Sequence, residues 1–143
     1  MVCLGNICRS PLAEGILQSK VSSSIFVDSA GTAAYHVGNL PDERSIEVAR
    51  KYGIDLTNQR ARKFSVNDFD EFDYIYAMDE SNYQNIILLA RNKEDEQKVQ
   101  MILNVVHLNK KLPVPDPYYG GKQGFENVFQ MLDEACEIIA NKI

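Results

Sequence analysis

The chain has 143 residues, of which 45% are hydrophobic and 24% are charged. This length and composition predict one globular domain over residues 1–143 with a single sizeable core. The formal net charge is -5 and the basic residues are scattered along the chain, so the sequence has no basic stripe like that of nucleic-acid-binding proteins. We therefore expect no nucleic-acid partner.

Hydropathy and cysteine usage exclude further classes of protein. No apolar run reaches the roughly eighteen residues of a membrane span, and the first residues do not form a signal peptide. The three cysteines include no Cys-x-x-Cys pair, which argues against a disulfide framework and a structural zinc site. We expect a cytoplasmic monomer with reduced thiols, no membrane association, no metal and no cofactor.

Helical and β-rich segments alternate in the first half of the chain. Ser10 to Val21 has apolar residues at helical spacing, with Ser10 placed to cap the helix. The β-rich residues 24–29 are predicted to form a strand. Pro41 to Tyr52 is predicted to be a helix, because acidic residues occupy its first turn and a glycine follows its end.

The second half continues this alternation and predicts a layered α/β fold with a parallel sheet. A charged, exposed segment and an apolar stretch that suits either a strand or a helix separate its elements. The predicted segments are a buried strand at 74–77, a helix at 80–90, the exposed segment at 92–98, the ambiguous stretch at 99–108, a long loop at 110–124 and an amphipathic helix at 125–143.

The strongest motif lies at the start of the chain, where Cys3 and Arg9 stand six positions apart and a helix follows. Gly5 and Asn6 between them tolerate the left-handed backbone of a tight loop. Backbone N–H groups of such a loop, together with the free N–H groups of the helix start, can converge on one oxyanion. The spacing therefore predicts an anion-binding loop.

The residues at the two ends of this loop indicate its chemistry. A cysteine that faces several N–H donors and an arginine is favoured as the thiolate, which makes Cys3 a candidate nucleophile. Arg9 offers a planar fork that can hold two phosphate oxygens. Most single cysteines are ordinary buried thiols, but the Ser-Pro pair and the helical pattern directly after Arg9 favour the catalytic interpretation.

The run VCLGNICRSP resembles the phosphate-binding loop of the low-molecular-weight protein tyrosine phosphatases. The resemblance implies a three-layer α/β domain in which helices flank a central, mostly parallel four-stranded sheet, with this loop between the first strand and the first helix. It implies that Cys3 attacks phosphotyrosine or a small aryl phosphate to form a cysteinyl-phosphate, that Arg9 binds the phosphate and that Ser10 helps the thiolate leave. The remaining loop residues would bind substrate: Leu4, Gly5, Asn6, Ile7 and Cys8.

A second motif, DPYYGG, contains the candidate general acid. The departing phenolate is strongly basic and needs a proton, and Asp116 is a better candidate for the donor than either histidine, since neither lies in a motif. The motif is similar to the acid loop of the same family, in which the aspartate later acts as a base toward water. Tyr118 and Tyr119 would flank the entrance, and the resemblance places Tyr35 on the opposite wall.

The resemblance also implies supporting residues, with two departures. Ser29 would hydrogen-bond Asn6 and hold the loop. Many relatives have a histidine in this network where the chain has Asn58, and we expect the asparagine to take its place. Only two residues precede Cys3, whereas strands usually have about five or six residues, so we expect either that upstream residues are absent from this chain or that the first strand is truncated.

Three other activities remain open. Some bacterial members of the family act on phosphoarginine and have threonine where this chain has Ile7, whose apolar side chain favours an aromatic ring. An arsenate reductase needs more cysteines to pass on a disulfide, and besides Cys3 the chain offers only Cys8 and Cys136. A binding module for phosphopeptides would not need Asp116.

Overall fold

The computed structural model describes every residue from Met1 to Ile143 and shows a four-stranded, all-parallel sheet. The strands are β1 (Val2–Cys3), β2 (Ala30–Gly31), β3 (Ile75–Ala77) and β4 (Val99–Met101), in the spatial order β2-β1-β3-β4. β1 therefore lies inside the sheet, and the loop that follows it leaves from the middle of the carboxyl edge.

Helices cover both faces of this sheet. They are α1 (Arg9–Lys20), α2 (Glu43–Lys51), α3 (Asp68–Glu71), α4 (Glu80–Ile87), α5 (Lys93–Gln97) and α6 (Gly121–Lys142), with a 3-10 helix at Ile102–Val105. None of them is both long enough and apolar enough to span a bilayer.

The two hydrophobic cores show how the strands separate the layers. Side chains of consecutive strand residues point to opposite faces of a sheet. Cys3 and Tyr76 accordingly pack into a core of 21 buried residues with α1, α2 and α6. Val2 and Ile75 pack into a second core of 8 buried residues on the other face, together with Phe69 of α3. The predicted three-layer α/β fold is confirmed.

The prediction of a strand at 24–29 is wrong. The strand instead consists of Ala30 and Gly31, which pair with Val2 and Cys3 of β1. No strand lies beside residues 24–29, and Met1 N donates to Asp28 O at 3.1 Å. β propensity without a partner strand does not produce a strand.

Other segment boundaries also differ from the predictions. The exposed segment at 92–98 forms α5 and buries Asp95, because Arg91 donates to both of its carboxylate oxygens. The ambiguous stretch is a strand followed by a 3-10 helix, and α6 begins four residues before the predicted start at 125. α1 starts at Arg9 without a side-chain cap, and Ser10 does not have the predicted capping role.

Close packing around Gly15 gives a stability prediction. A Cβ at this position in α1 would lie 2.5 Å from Leu56 Cδ2 and 2.9 Å from Ile54 Cγ2, and Leu56 is fully buried. Gly15→Ala should lower the free energy of unfolding by about 1–2 kcal/mol, because overpacking outweighs the gain in helix propensity. Urea denaturation measures this difference.

Gly124 of α6 provides the matched control. A Cβ there would meet nothing closer than Pro117 Cβ at 3.7 Å, so Gly124→Ala should raise the free energy of unfolding by about 0.5–1 kcal/mol. If both alanine variants were stabilised equally, the packing around Gly15 would not be the limiting contact.

Candidate active site

A cleft of about 270 Å³ opens at the carboxyl edge of the sheet, between β1 and the start of α1. Most of the residues predicted for the site from the two motifs line it. The lining consists of Cys3, Leu4, Gly5, Ile7, Cys8, Arg9, Tyr35, His36, Asp116, Tyr118 and Tyr119.

The start of α1 faces this cleft with unpaired backbone donors. Cys8 occupies the N-cap position and its side chain makes no capping hydrogen bond. The first N–H groups of a helix have no partner within the helix, and they carry the positive end of its dipole. The absence of a cap therefore leaves donors free for an oxyanion. Ser10 does not cap the helix because it lies inside α1 and its Oγ contacts Cys3 Sγ.

Cys3 lies at the base of the cleft, with a hydroxyl and a backbone N–H close to its sulfur. Its side chain is buried, and Sγ lies 3.0 Å from Ser10 Oγ. The backbone N–H of Asn6 donates to the same sulfur at 3.3 Å. The sulfur therefore has polar partners from both the loop and α1.

Asn6 gives the loop its unusual backbone. Its φ of 58° lies in the left-handed region, which asparagine tolerates better than most residues. Its side-chain Nδ2 donates to Ser10 Oγ at 2.8 Å and to Ser29 Oγ at 2.9 Å. Its Oδ1 accepts from the backbone N–H of Arg62 at 3.0 Å. The Asn6 amide thus fastens the loop to three separate parts of the chain.

The structure requires a glycine at position 5, but not for the left-handed backbone that was predicted. Its φ is not left-handed, but a Cβ would lie only 3.0 Å from Cδ2 of His36. The glycine therefore leaves room for the histidine, which lines the cleft and was not predicted as a site residue. His36 can be identified as a site residue only from its contact with Gly5 in the structure.

The predicted place of Asn58 in the supporting network is wrong. Asn58 is exposed and makes no hydrogen bond. The acceptor of Asn6 is already occupied by Arg62, and Ser29 Oγ donates to Glu14 Oε1 at 2.7 Å. Glu14 was missed, although it follows Ser10 by four positions and therefore shares its face of α1.

Arg9 is held so that one side of its guanidinium stays free. Its side chain is 4% exposed, and Nη1 donates to Asp79 Oδ2 at 2.7 Å and to Val114 O at 3.0 Å. Nε and Nη2 make no hydrogen bond, and Nη2 lies 3.8 Å from Asp116 Oδ2. The fork can therefore offer two donors to an oxyanion.

Asp79 is a further functional residue that the motifs did not identify, after His36 and Glu14. It caps α4 at the end of β3, since Asp79 Oδ1 accepts from Asn82 N–H at 2.8 Å. The carboxyl ends of parallel strands meet at one edge of a sheet, where ligands of α/β proteins bind. This rule, applied to the end of β3, could have placed Asp79 beside Arg9.

The aromatic residues form the mouth of the cleft. Tyr35 and Tyr119 are 78% and 93% exposed, and Tyr118 contacts Tyr119 edge to face at 5.0 Å between ring centres. The side chain of Asp116 is 46% exposed, and its Oδ1 accepts from Tyr118 N–H at 3.0 Å. The acid loop thus carries both a carboxyl group and ring surfaces at the entrance.

The other two thiols differ from Cys3 in their surroundings. Burial and the nearby Asp42 carboxylate raise the pKa of Cys8 to about 12, so Cys8 is a neutral thiol at physiological pH. Burial likewise raises the pKa of Cys136 to about 12, and its Sγ contacts Ala13 O at 3.7 Å in the core. Only Cys3 and Cys8 reach the cleft.

Comparison with known proteins shows where this geometry belongs. Residues 1–143 match the family model for low molecular weight phosphotyrosine protein phosphatase. The chain belongs to this family. The phosphatase of this name from Schizosaccharomyces pombe is 44% identical over 139 residues, which cover 92% of this chain and 88% of the relative.

Solved structures agree with this assignment. The protein tyrosine phosphatase of Entamoeba histolytica, solved with Hepes in its active site, matches with a TM-score of 0.91 and 38% identity, covering 99% of this phosphatase and 92% of the other chain. A Drosophila arginine phosphatase matches with a TM-score of 0.90 and 33% identity, covering 99% and 94%. The predicted family is confirmed.

The supporting network of the phosphatase gives a pH-dependent prediction. Burial raises the pKa of Glu14 above its ordinary value, although the Ser29 hydrogen bond opposes this effect. The native state then binds this proton more tightly than the unfolded state, so stability falls as pH rises from the unfolded to the native pKa. Glu14→Gln should therefore be more stable than the wild type at pH 7, with the difference lost at pH 3.

Urea denaturation at the two pH values checks this expectation. Glutamine retains an acceptor for Ser29 Oγ, whereas Glu14→Ala removes it and should destabilise the enzyme at both pH values by about 1–3 kcal/mol. A glutamine variant that was less stable at pH 7 would show that the charge of Glu14 supports the loop.

Proposed function

We propose that the enzyme hydrolyses phosphotyrosine in proteins, and small aryl phosphates, through a cysteinyl-phosphate on Cys3. The observation that carries the proposal is that a nucleophile, a guanidinium with one side unpaired and a carboxyl group lie in one cleft. Cys3, Arg9 and Asp116 all line it, and the latter two lie 3.8 Å apart. Few other reactions need these three groups together.

In the first step the phosphate monoester occupies the loop, where its oxygens accept from backbone N–H groups and from Arg9. The sulfur of Cys3 attacks phosphorus opposite the ester oxygen, an S–P bond forms and the P–O bond to the ring breaks. Asp116 in its protonated form gives its proton to the departing phenolate oxygen. A neutral phenol leaves.

In the second step the Asp116 carboxylate takes a proton from water as that water attacks phosphorus. The S–P bond breaks and inorganic phosphate forms. Ser10 Oγ and the N–H of Asn6, which lie 3.0 Å and 3.3 Å from the sulfur, stabilise the thiolate that leaves. The enzyme returns to its starting state without a cofactor.

The walls of the cleft support an aromatic substrate. Tyr35, Tyr118 and Tyr119 line the mouth, while Leu4 and Ile7 make part of its interior apolar. Flat aromatic faces and apolar walls favour a ring over a charged group.

A reducing compartment such as the cytoplasm fits this mechanism, since all three cysteines are unpaired.

Phosphoarginine is the second candidate substrate, because an arginine phosphatase is among the similar structures. Ile7 in the cleft argues against it, since an apolar wall offers a guanidinium no hydrogen bond. Arsenate reduction has less support, because Cys136 is fully buried and cannot serve as a relay at the cleft. Comparing turnover of phosphotyrosine and phosphoarginine peptides separates the two phosphatase activities.

Replacing the nucleophile gives the most direct test. Cys3→Ser should abolish hydrolysis of p-nitrophenyl phosphate while vanadate still binds, because the loop donors and Arg9 remain. Turnover of the wild type should be unchanged by EDTA. Steady-state assays and isothermal titration measure the two quantities, and Cys136→Ser in the core is the matched control that should retain activity. A rate of hydrolysis by Cys3→Ser within tenfold of the wild-type rate would refute the mechanism.

Replacing the acid separates an enzyme from a binding module. Asp116→Asn should slow hydrolysis of phosphotyrosine by about 10²- to 10⁴-fold, because its basic phenolate needs a proton. The loss on p-nitrophenyl phosphate should be smaller, since nitrophenolate is a better leaving group. The alkaline limb of the pH–rate profile should disappear if that limb reports protonated Asp116. Equal losses on both substrates with an unchanged profile would show that Asp116 only shapes the loop.

A further inference from the structure

The loop that carries Asp116 has few polar contacts with the rest of the enzyme. Residues 115–120 make no hydrogen bond to the sheet, α1 or α2. Their own hydrogen bonds join Tyr118 N–H to Asp116 Oδ1 and Gly120 N–H to Pro117 O. Asp116 Oδ2 lies 3.8 Å from Arg9 Nη2, which is too far for a hydrogen bond. Other contacts must therefore position Asp116 in the cleft.

Arg44 of α2 supplies such a contact. Its guanidinium carbon lies 5.4 Å from the centre of the Tyr118 ring and 4.6 Å from the centre of the Phe125 ring. Both distances are within the range of cation–π interactions. Phe125 is buried in α6, so the guanidinium joins an exposed ring of the acid loop to a fixed ring of the core.

Arg44 is itself fixed relative to the phosphate-binding loop. Its Nε and Nη2 donate to the two carboxylate oxygens of Asp42 at 3.0 Å and 3.1 Å. The backbone N–H of Asp42 donates to Ile7 O at 2.7 Å. A continuous set of contacts therefore runs from Ile7 through Asp42 and Arg44 to Tyr118, whose N–H holds the carboxyl group of Asp116.

We propose that Arg44 is a positioning residue that sets Asp116 relative to the phosphate-binding loop by holding Tyr118. Arg44 does not line the cleft, so it acts through the acid loop and not on the substrate. The inference rests on the proposed function, because it requires Asp116 to be the proton donor. Proton transfer depends steeply on geometry, and a loosened loop therefore slows the reactions that most need the proton.

The test compares two substrates that differ in their leaving group. Arg44→Ala should lower the single-turnover rate of phenol release from phenyl phosphate by about three- to tenfold, which is the range expected for loss of cation–π contacts. The same rate for p-nitrophenyl phosphate should stay within about twofold of the wild type, and KM for both should change little, since the phosphate donors are intact. This rate reports the first step alone, because the second step is the same for both substrates. Arg50, an exposed arginine of the same helix, is the matched control, and Arg50→Ala should behave as the wild type on both substrates.

A double-mutant cycle tests whether Arg44 acts through Asp116. In the background of Asp116→Asn, adding Arg44→Ala should cause no further loss on phenyl phosphate, because the group that it positions no longer donates a proton. Urea denaturation of each variant shows whether it is folded at the assay temperature. Arg44→Met retains most of the aliphatic stem and takes the place of the alanine variant if that variant does not fold.

Three outcomes would overturn the inference: equal losses on both substrates, a multiplicative loss in the double variant, or an effect on KM alone. The third would mean that Arg44 assists phosphate binding. Failure of the proposed function is a separate result, since hydrolysis by Cys3→Ser would refute the mechanism whatever Arg44→Ala does. A larger loss on phenyl phosphate than on p-nitrophenyl phosphate in Arg44→Ala, with Cys3→Ser inactive, would support both.

Discussion

The left-handed backbone of Asn6 is the constraint on which the site depends. A loop that turns several N–H groups toward one point needs such a residue, and the conformation is costly for side chains other than glycine. Here the side-chain amide offsets that cost with hydrogen bonds to Ser10, Ser29 and the backbone of Arg62. These partners belong to α1, to the residue before β2 and to a later loop, so the loop keeps its shape only when sheet and helix are packed together.

Arg9 shows how a buried charge can be both satisfied and available. A guanidinium that is 4% exposed would be strongly destabilising without a partner. Asp79 and the carbonyl of Val114 take only Nη1, which neutralises part of the charge and fixes the plane of the fork. The opposite side remains free for phosphate. The same pairing explains why the end of β3 belongs to the site even though no motif marks it.

Spacing alone could predict only those features of the site whose partners lie within one short segment. That segment, the loop and the first turn of α1, contains Cys3, Asn6, Arg9 and Ser10. Among the long-range contacts, the hydrogen bond between Asn6 and Ser29 was predicted by resemblance, whereas His36 against Gly5 and Arg44 against Tyr118 were not.

Two of the wrong assignments have the same cause. Asn58 was placed in the network by resemblance, but a backbone N–H from Arg62 occupies the position that it would need. The strand at 24–29 had suitable residues, yet the strand forms only where β1 provides a partner, at Ala30 and Gly31. In both cases a residue type fitted its predicted role while the partner was decided elsewhere in the fold.

The two halves of the site differ in the number of hydrogen bonds that hold them, and the proposed chemistry accounts for the difference. The phosphate-binding loop holds the same phosphoryl group through both steps, so fixed hydrogen bonds suit it. In the proposed mechanism Asp116 serves two oxygens in turn, that of the departing phenol and then that of the attacking water, which both lie opposite the Cys3 sulfur. The first oxygen carries a bulky ring and the second does not, so the surroundings of Asp116 change between the two steps. A contact between the Arg44 guanidinium and the Tyr118 ring limits the loop without fixing it, since attraction to a ring face tolerates small displacements better than a short hydrogen bond does. The acid can therefore stay near phosphorus and still adjust between the two steps.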